Sequence, residues 1–295
     1  MFNQLIAELS ALPEVEAIAL GGSRAGENYD QKSDYDVYLY CTSDISEAVR
    51  TSILQKYCSY MEIGNHFWEY EDNCTLKNGI DMDLLYRNLP GFTADVADVV
   101  ENCHGRNGYT TCMWHNLRTC KILYDPLEKL GTTKQRFDVP YPENLRSDII
   151  RRNWKLLHAA MPAYELPIKK AILRGDSASV NHRVSAFLES YFDVLFALNR
   201  QTHPGEKRLI SLCRKMCPIL PENFEDNLNS LFSHMFTAPE LVSDDLDRIL
   251  SALAKILEIL DFLLHNSTTR GIMSAATGLG GKNHGQNQHC SLLLL

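Results

Sequence analysis

The sequence of 295 residues lacks a long apolar stretch. No run reaches the ~18 consecutive apolar residues that a membrane-spanning helix needs, so we expect no membrane segment. The first 20 residues are partly apolar, but glutamates interrupt them and they have no basic leader, so the sequence predicts no signal peptide. Nine cysteines are scattered along the chain without a CxxC pair, a pattern typical of reduced thiols in a cytoplasmic protein.

Basic residues are also few. Lysine and arginine together number 29, against 37 aspartates and glutamates, which gives a formal net charge of −8. Affinity for nucleic acid comes mainly from neutralised phosphates, so a chain of this charge is a poor general binder of nucleic acid. We therefore expect a small-molecule partner and no nucleic acid, while the oligomeric state stays open.

The hydrophobic pattern changes character near residue 140. Before it, short apolar runs rich in branched and aromatic residues indicate strands, and stretches of helical spacing lie between them. After Pro140 and Pro142 the apolar residues recur only with helical spacing. The segments with strand character are 15–20, 36–41, 66–70 and 80–86, and those with helical character are 2–12, 46–57, 145–161, 178–199 and 244–265.

This change predicts two domains and a tail. Residues 1–135 are expected to form an α+β domain, and residues 145–266 an all-α helical bundle. Residues 267–295 are rich in glycine, asparagine, glutamine, serine and threonine, so we expect this tail to be disordered.

Three aspartates are candidates for a metal site. Asp34 and Asp36 lie two residues apart at the start of a predicted strand, so the alternation of a strand puts both carboxylates on one face. Carboxylates held this close repel each other unless a cation lies between them, and oxygen ligands of this kind suit Mg²⁺. Asp83 lies on a later strand that could pair beside the first. Three carboxylates around one or two Mg²⁺ ions would make a site for in-line attack on phosphorus.

A loop of small residues precedes these aspartates. Gly21, Gly22 and Ser23 follow the first predicted strand and lead into a short helix. Small residues let backbone N–H groups approach a phosphate, the helix start adds favourable partial charge, and the serine hydroxyl adds one donor. A phosphate loop beside paired carboxylates indicates chemistry on a nucleoside triphosphate.

The order of these motifs resembles the polymerase-beta-like nucleotidyltransferase superfamily: Gly22-Ser23, then ten residues, then Asp34-x-Asp36, then a later aspartate on a strand. More narrowly, it is similar to the small antibiotic nucleotidyltransferases, the aminoglycoside and lincosamide enzymes, which append a helical domain. The motifs lie within residues 15–90, and the helical half is similar in class only. The resemblance implies a nucleotidyltransferase-fold mixed sheet with flanking helices, followed by the all-α domain, with the active site in the cleft between them.

The resemblance also implies roles for single residues. In that family the Gly-Ser loop holds the triphosphate, the two DxD carboxylates bind Mg²⁺, and the third carboxylate binds metal or helps to deprotonate the attacking hydroxyl. Carried over residue by residue, these are Gly22, Ser23, Asp34, Asp36 and Asp83. Asp83 is preferred to Asp81 because hydrophobic residues follow it directly, as they follow the third carboxylate in the family, but Asp81 stays an alternative.

Two basic residues are further candidates for nucleotide binding. Arg24 follows the loop directly and could reach a phosphate or pair with an acidic neighbour such as Glu27. Lys207 lies in the helical half, from which a lysine of related two-domain enzymes reaches the triphosphate. The alternative for Lys207 is a solvated basic helix start.

The sequence therefore predicts an enzyme that uses Mg²⁺ and ATP, or another nucleoside triphosphate. It would transfer a nucleoside monophosphate to a hydroxyl group and release pyrophosphate. By resemblance the expected acceptor is an aminoglycoside or a lincosamide, which would make the protein an antibiotic-resistance enzyme. Two alternatives stay open: transfer of AMP onto a protein, as in toxin–antitoxin members of the superfamily, and a non-catalytic nucleotide-binding module.

Overall fold

The computed structural model describes residues 1–26, 33–67, 69–161 and 163–260. Within these ranges the chain forms two compact units. The first contains residues 1–103 and 111–142, and the second contains residues 104–110 and the described residues from 143 to 260. The tail expected to be disordered, 267–295, and Glu27 lie outside the described residues.

The first unit is built on a mixed sheet of six strands, in the order β3-β4-β5-β2-β1-β6. Strands β2 and β5 pair in parallel, and every other neighbouring pair in the sheet is antiparallel. A mixed sheet with flanking helices confirms the α+β class expected for this half of the chain. The strands are β1 (Val15–Leu20), β2 (Tyr35–Cys41), β3 (Cys58–Asn65), β4 (Glu71–Leu76), β5 (Asp81–Arg87) and β6 (Lys121–Tyr124).

Six helices accompany this sheet in the described part of the first unit. They are α1 (Phe2–Ser10), α2 (Gly22–Ala25), α3 (Glu47–Leu54), α4 (Leu89–Val100), α5 (Cys112–Thr119) and α6 (Lys129–Arg136). Helix α3 begins after Ser46, whose hydroxyl accepts a hydrogen bond from the backbone N–H of Val49, as an N-cap serine does. Ser46 is therefore the N-cap of this helix.

One face of the sheet forms the hydrophobic core. Ile18, Leu39 and Leu84 from three neighbouring strands are fully buried and belong to one cluster with residues of α1 and α3. Because side chains alternate along a strand, the residues between them face the other side of the sheet. That alternation places Asp36 and Asp83 on the face away from this core cluster.

The hairpin of β3 and β4 differs from the sequence-based expectation. The strand predicted at 66–70 is wrong, since the described residues of that segment connect β3 to β4. The two strands on either side were not recognised because polar residues interrupt their apolar pattern. The chain turns at Asn78 and Gly79 before β5, and Gly79 adopts a φ of +81° there.

The second unit is all-helical in its described residues, which confirms the fold class expected for this half. Its helices are α7 (Glu143–Trp154), α8 (Glu165–Leu173), α9 (Ser177–Leu198), α10 (Leu209–Met216), α11 (Phe224–Thr237) and α12 (Val242–Ile259). Helix α7 continues into a π-helical turn over Lys155–Ala159, and a 3₁₀ turn over Pro239–Leu241 precedes α12. Among the described residues, no helix has both the length and the apolar character needed to cross a bilayer.

Candidate active site

The parallel pairing of β2 with β5 brings the three predicted carboxylates together. Asp36 lies directly opposite Asp83 in the strand register, and Asp34 comes just before β2 begins. One ligand oxygen from each of the three side chains lies within 4.8 Å of the others, and all three side chains are half-buried. Three carboxylates at this spacing repel each other, and a divalent cation among them would remove the repulsion.

Asp81, the alternative third carboxylate, lies outside this cluster. It is exposed at the start of β5, and its Oδ1 accepts a hydrogen bond of 2.8 Å from Thr75 Oγ1 on β4. Asp83 is two residues further along the same face, where β2 runs beside it. Of the two aspartates, the structure therefore brings Asp83 to Asp34 and Asp36.

The small-residue loop lies against the same carboxylates. The backbone N–H of Gly21 donates a 2.7 Å hydrogen bond to the carbonyl of Asp36, which ties the end of β1 to β2. Gly22 begins the short helix α2 with a φ of +57°. A Cβ atom at Gly22 would lie 1.7 Å from Oδ2 of Asp36, so only glycine allows the backbone to come this close to the carboxylate.

Ser23 presents a buried hydroxyl beside this approach. Its Oγ is shielded from solvent and has no hydrogen-bond partner among the residues that the structure describes. A buried hydroxyl without a partner costs free energy, and it is usually matched by a water or a bound ligand. The hydroxyl is therefore available as a donor to a ligand.

Arg24 braces the chain segment that carries the aspartates. Its Nε donates to the backbone carbonyls of Ser33 at 2.6 Å and Asp34 at 3.1 Å. Its guanidinium carbon lies 4.0 Å from the ring centroid of Tyr35, a distance typical of a cation–π contact. The arginine is buried, so it holds the loop start and the β2 start together rather than projecting into solvent.

Buried side chains of β2 and β5 pack beside the glycine loop. Tyr38 on β2 is buried so close to Gly21 that a Cβ atom there would lie 2.4 Å from the tyrosine ring. The guanidinium of Arg87 stacks on this ring at 4.1 Å and forms a two-bond ion pair with Glu69, at 2.8 and 2.6 Å. Burial raises the pKa of Tyr38 well above its usual range, so the phenol stays neutral.

Two residues of β4 belong to the site surroundings and were not recognised from the sequence. Asn73 Nδ2 donates a 2.8 Å hydrogen bond to Oδ1 of Asp83. Glu71 is buried on the same strand face, and its pKa is raised, first by burial and further by the negative charge of Asp83. The alternation of polar Glu71, Asn73 and Thr75 along β4 was the signal that could have revealed them.

Lys207 lies in the second unit. It is exposed in the turn that precedes α10. Its expected contact with a triphosphate stays a prediction.

A family model described as a domain of unknown function (DUF4037) matches residues 110–209. No curated protein sequence matches the chain. Among solved structures, the chain is similar to a nucleotidyltransferase-like protein from Exiguobacterium sibiricum 255-15, with 13% identity over 89% of this chain and 78% of that chain and a TM-score of 0.40. It is also similar to an aminoglycoside 6-adenyltransferase from Bacillus subtilis, with 10% identity over 86% of this chain and 90% of that chain and a TM-score of 0.23.

Both solved structures are described by their names as a nucleotidyltransferase or a protein like one. With TM-scores below 0.5, however, neither structure carries an argument about what this chain binds or transfers. The case for a function rests on the geometry around Asp34, Asp36 and Asp83.

Proposed function

We propose that this protein is a Mg²⁺-dependent nucleotidyltransferase that moves a nucleoside monophosphate, AMP from ATP, onto a hydroxyl group of a small molecule and releases pyrophosphate. One observation carries the proposal: three carboxylates, two from the β2–β5 pair and one just before β2, lie within 4.8 Å of one another beside the glycine loop. Neither feature alone is specific, but the carboxylates supply ligands for a magnesium ion and the loop supplies contacts for a triphosphate.

The residues present fit a magnesium ion. Magnesium prefers carboxylate oxygens and substrate phosphates as ligands, and Asp34, Asp36 and Asp83 supply only oxygen. The three side chains are half-buried, so a cation would still be reachable from solvent together with its nucleotide. When bound, the ion would polarise the phosphorus oxygens and favour ionisation of the attacking hydroxyl.

The loop residues fit a triphosphate. Gly22 lets the backbone of the loop lie directly against the Asp36 carboxylate, so a triphosphate held by the loop would lie next to the proposed metal ligands. The unpartnered hydroxyl of Ser23 would donate to one of these oxygens and lose its desolvation penalty at the same time. Arg24 would act indirectly, by holding the carbonyls of Ser33 and Asp34 in place.

Positioning is the main catalytic contribution expected from these side chains. Nucleotidyl transfer needs the acceptor oxygen in line with the leaving pyrophosphate, and fixed charges near the phosphorus oxygens lower the barrier. Asp34 and Asp36 would hold the metal, while Asp83 would complete the carboxylate set and accept the hydroxyl proton. Lys207 is proposed as a further triphosphate contact, and the protein is proposed to work in the cytoplasm.

The acceptor is proposed from the resemblance alone: an aminoglycoside or a lincosamide, which would make the protein a resistance enzyme. The net charge of −8 is compatible with a polycationic aminoglycoside but is no specific sign of one. Transfer of AMP onto a protein and a non-catalytic sensing role are the alternatives that the experiment must separate.

The test incubates the purified protein with Mg²⁺, each of the four nucleoside triphosphates labelled at the α-phosphorus, and a panel of aminoglycosides and lincosamides. We expect label on one drug class and stoichiometric release of pyrophosphate. Asp83→Asn should lower the rate by roughly a hundredfold or more, because it removes a charge that acts on the transition state. Asp81→Asn is the matched control, since this neighbour on the same strand lies outside the cluster and should keep its activity.

Other results would favour one of the alternative functions or reject the site. Label on the protein itself would favour AMP transfer onto protein. Triphosphate binding without any release of pyrophosphate would favour the sensing role. Undiminished transfer by both Asp83→Asn and Asp36→Asn would reject this site as the catalytic one.

A further inference from the structure

A row of polar side chains crosses four strands of the sheet. In the strand registers Asp36 lies opposite Asp83, Asp83 opposite Asn73, and Asn73 opposite Glu62. The row therefore runs from β2 through β5 and β4 to β3, on the face that carries the carboxylate cluster. Asn65, at the end of β3, completes it with side-chain contacts to two of these residues.

The hydrogen bonds along this row have one direction from Asn65 through Asn73 to Asp83, and the remaining bonds end on Glu62. Nδ2 of Asn73 donates to Oδ1 of Asp83 at 2.8 Å, and Oδ1 of Asn73 accepts from Nδ2 of Asn65 at 2.6 Å. The same Asn65 amide donates to Oε2 of Glu62 at 3.2 Å, and the hydroxyl of Tyr60 donates to Oε1 of Glu62 at 2.6 Å.

Chemistry fixes this direction, because an ionised carboxylate can only accept. The amide nitrogen of Asn73 must therefore face Asp83, which turns its oxygen towards Asn65. Asn65 must then present its own nitrogen to Asn73 and to Glu62. Reversing either amide would set two acceptors or two donors against each other, so the network keeps the Asn73 amide nitrogen facing one oxygen of Asp83.

We infer that Asn73 is a positioning residue for the metal site. By occupying one oxygen of Asp83, it holds the carboxylate in the orientation that completes the cluster with Asp34 and Asp36 and leaves the second oxygen for the cation. Asn65 supports it by holding the amide of Asn73. Partners that orient a metal ligand typically contribute a factor of about 10 to 100 in metal affinity. This inference rests on the proposed function, since it assumes that the cluster binds a divalent ion.

The chain contains a matched control for this contact. Two residues further along β4, on the same face, Thr75 Oγ1 donates to Oδ1 of Asp81 at 2.8 Å. Both bonds join β4 to β5 and end on an aspartate, but Asp81 lies outside the carboxylate cluster. Removing the Thr75 contact therefore tests what loss of a cross-strand bond does without touching the metal site.

The experiment titrates the full-length protein with Mn²⁺, a spectroscopic substitute for Mg²⁺, and measures free Mn²⁺ by electron paramagnetic resonance. We expect Asn73→Ala to weaken Mn²⁺ binding about tenfold, Asn65→Ala to weaken it less, and Thr75→Ala to leave it unchanged. Thermal unfolding without metal is measured in parallel, to separate lost binding from lost folding.

Several results would overturn the positioning role of Asn73. Equal Mn²⁺ affinity in the wild type and Asn73→Ala would overturn the positioning role but leave the metal site intact. Equal weakening by Asn73→Ala and Thr75→Ala would also overturn it, because a general loss of sheet stability would then explain both. If Asn73→Ala does not fold, Asn65→Ala decides, and unchanged affinity in that variant rejects the role. A wild type that binds no Mn²⁺ would reject both this inference and the proposed metal chemistry.

Discussion

Gly22 combines an unusual backbone conformation with a close contact to the carboxylate of Asp36. Its φ of +57° is a conformation that other residues adopt only with strain, and the space where a Cβ would lie is taken by the carboxylate of Asp36. Glycine is therefore required for two independent reasons at one position. The sequence predicts this glycine as a phosphate contact, and the structure adds its packing against a carboxylate of the Asp34–Asp36–Asp83 cluster.

Gly22→Ala should therefore displace Asp36 as well as strain the backbone. We expect the variant to lose Mn²⁺ binding and transfer activity by roughly tenfold or more, because the misplaced carboxylate disturbs the whole cluster. Gly79→Ala is the control: its φ is +81°, but nothing lies within 4 Å of the added Cβ. It should lower stability in urea unfolding by about 1 kcal/mol and keep full activity. Equal activity in the two variants would show that the contact with Asp36 is unimportant.

At the scale of elements, a buried ion pair joins helix α3 to strand β4. Arg50 and Asp72 form a salt bridge, and both side chains are fully buried. Asp72 also accepts hydrogen bonds from the hydroxyl of Tyr86 and the backbone N–H of Gly64, each at 2.8 Å. Asp72 lies on the core side of β4, whereas the next residue, Asn73, lies on the opposite face of the same strand.

Asp72→Asn should destabilise the first unit strongly. The change keeps the shape of the side chain but leaves the buried Arg50 charge without a partner, which typically costs about 3 to 5 kcal/mol. Chemical unfolding followed by circular dichroism measures the loss. Glu8→Gln serves as control, since Glu8 pairs with Lys56 at the surface and should shift the midpoint little. A similar small shift in both variants would contradict the expected importance of burial.

The elements also show where local sequence patterns reach their limit. The sequence predicts β1 and β2 from short runs rich in apolar, branched and aromatic residues, and β5 from the alternation of polar and apolar residues. The hairpin of β3 and β4 was missed because its polar residues, Glu62, Asn65 and Asn73 among them, bond to one another across strands. Only the pairing of the strands turns these residues from a loop-like pattern into an ordered row.

At the scale of the whole molecule, residues distant in the chain meet at one buried carboxyl group. Asp193 of α9 is almost fully buried and accepts hydrogen bonds from the backbone N–H and the hydroxyl of Thr110, at 3.1 and 2.6 Å, and from Asn153 at 3.1 Å. Residues 104–110, which lie between α4 and α5 in the sequence, are thereby fastened to the helices of the second unit. Burial raises the pKa of Asp193 to about 7, although these hydrogen bonds oppose the shift.

This raised pKa predicts that stability falls with rising pH. The unfolded chain releases the proton of Asp193 near the ordinary pKa of an aspartate, about 4, while the folded protein keeps it until about 7. Between these values the folded state binds more protons, so the free energy of unfolding decreases as pH rises, by at most ~1.4 kcal/mol per pH unit from this group. Asp193→Asn cannot titrate and should show a flatter profile over this window.

The measurement compares urea unfolding of the wild type and Asp193→Asn between pH 4 and 8. The difference between the two profiles is the relevant quantity, because other groups titrate in the same range. Burial lowers the pKa of His115 from 6.5 to about 4, so between these pH values the unfolded chain binds a proton that the folded protein does not. The contribution of His115 therefore raises the free energy of unfolding as pH rises. Parallel profiles for the two proteins would show that Asp193 is not protonated in the folded state.

The sequence by itself determined the fold class and the identity of the site motifs. Apolar periodicity distinguished the α+β half from the helical half, and the spacing of Gly22, Asp34 and Asp36 indicated phosphate chemistry, because these features depend on neighbours along the chain. The tertiary structure decided what depends on strand pairing. It brought Asp83 rather than Asp81 to the cluster, and it aligned Asn73 behind it. Strands β2 and β5 pair in parallel and no turn joins them directly, so their register follows from which side chains face the core of the assembled sheet.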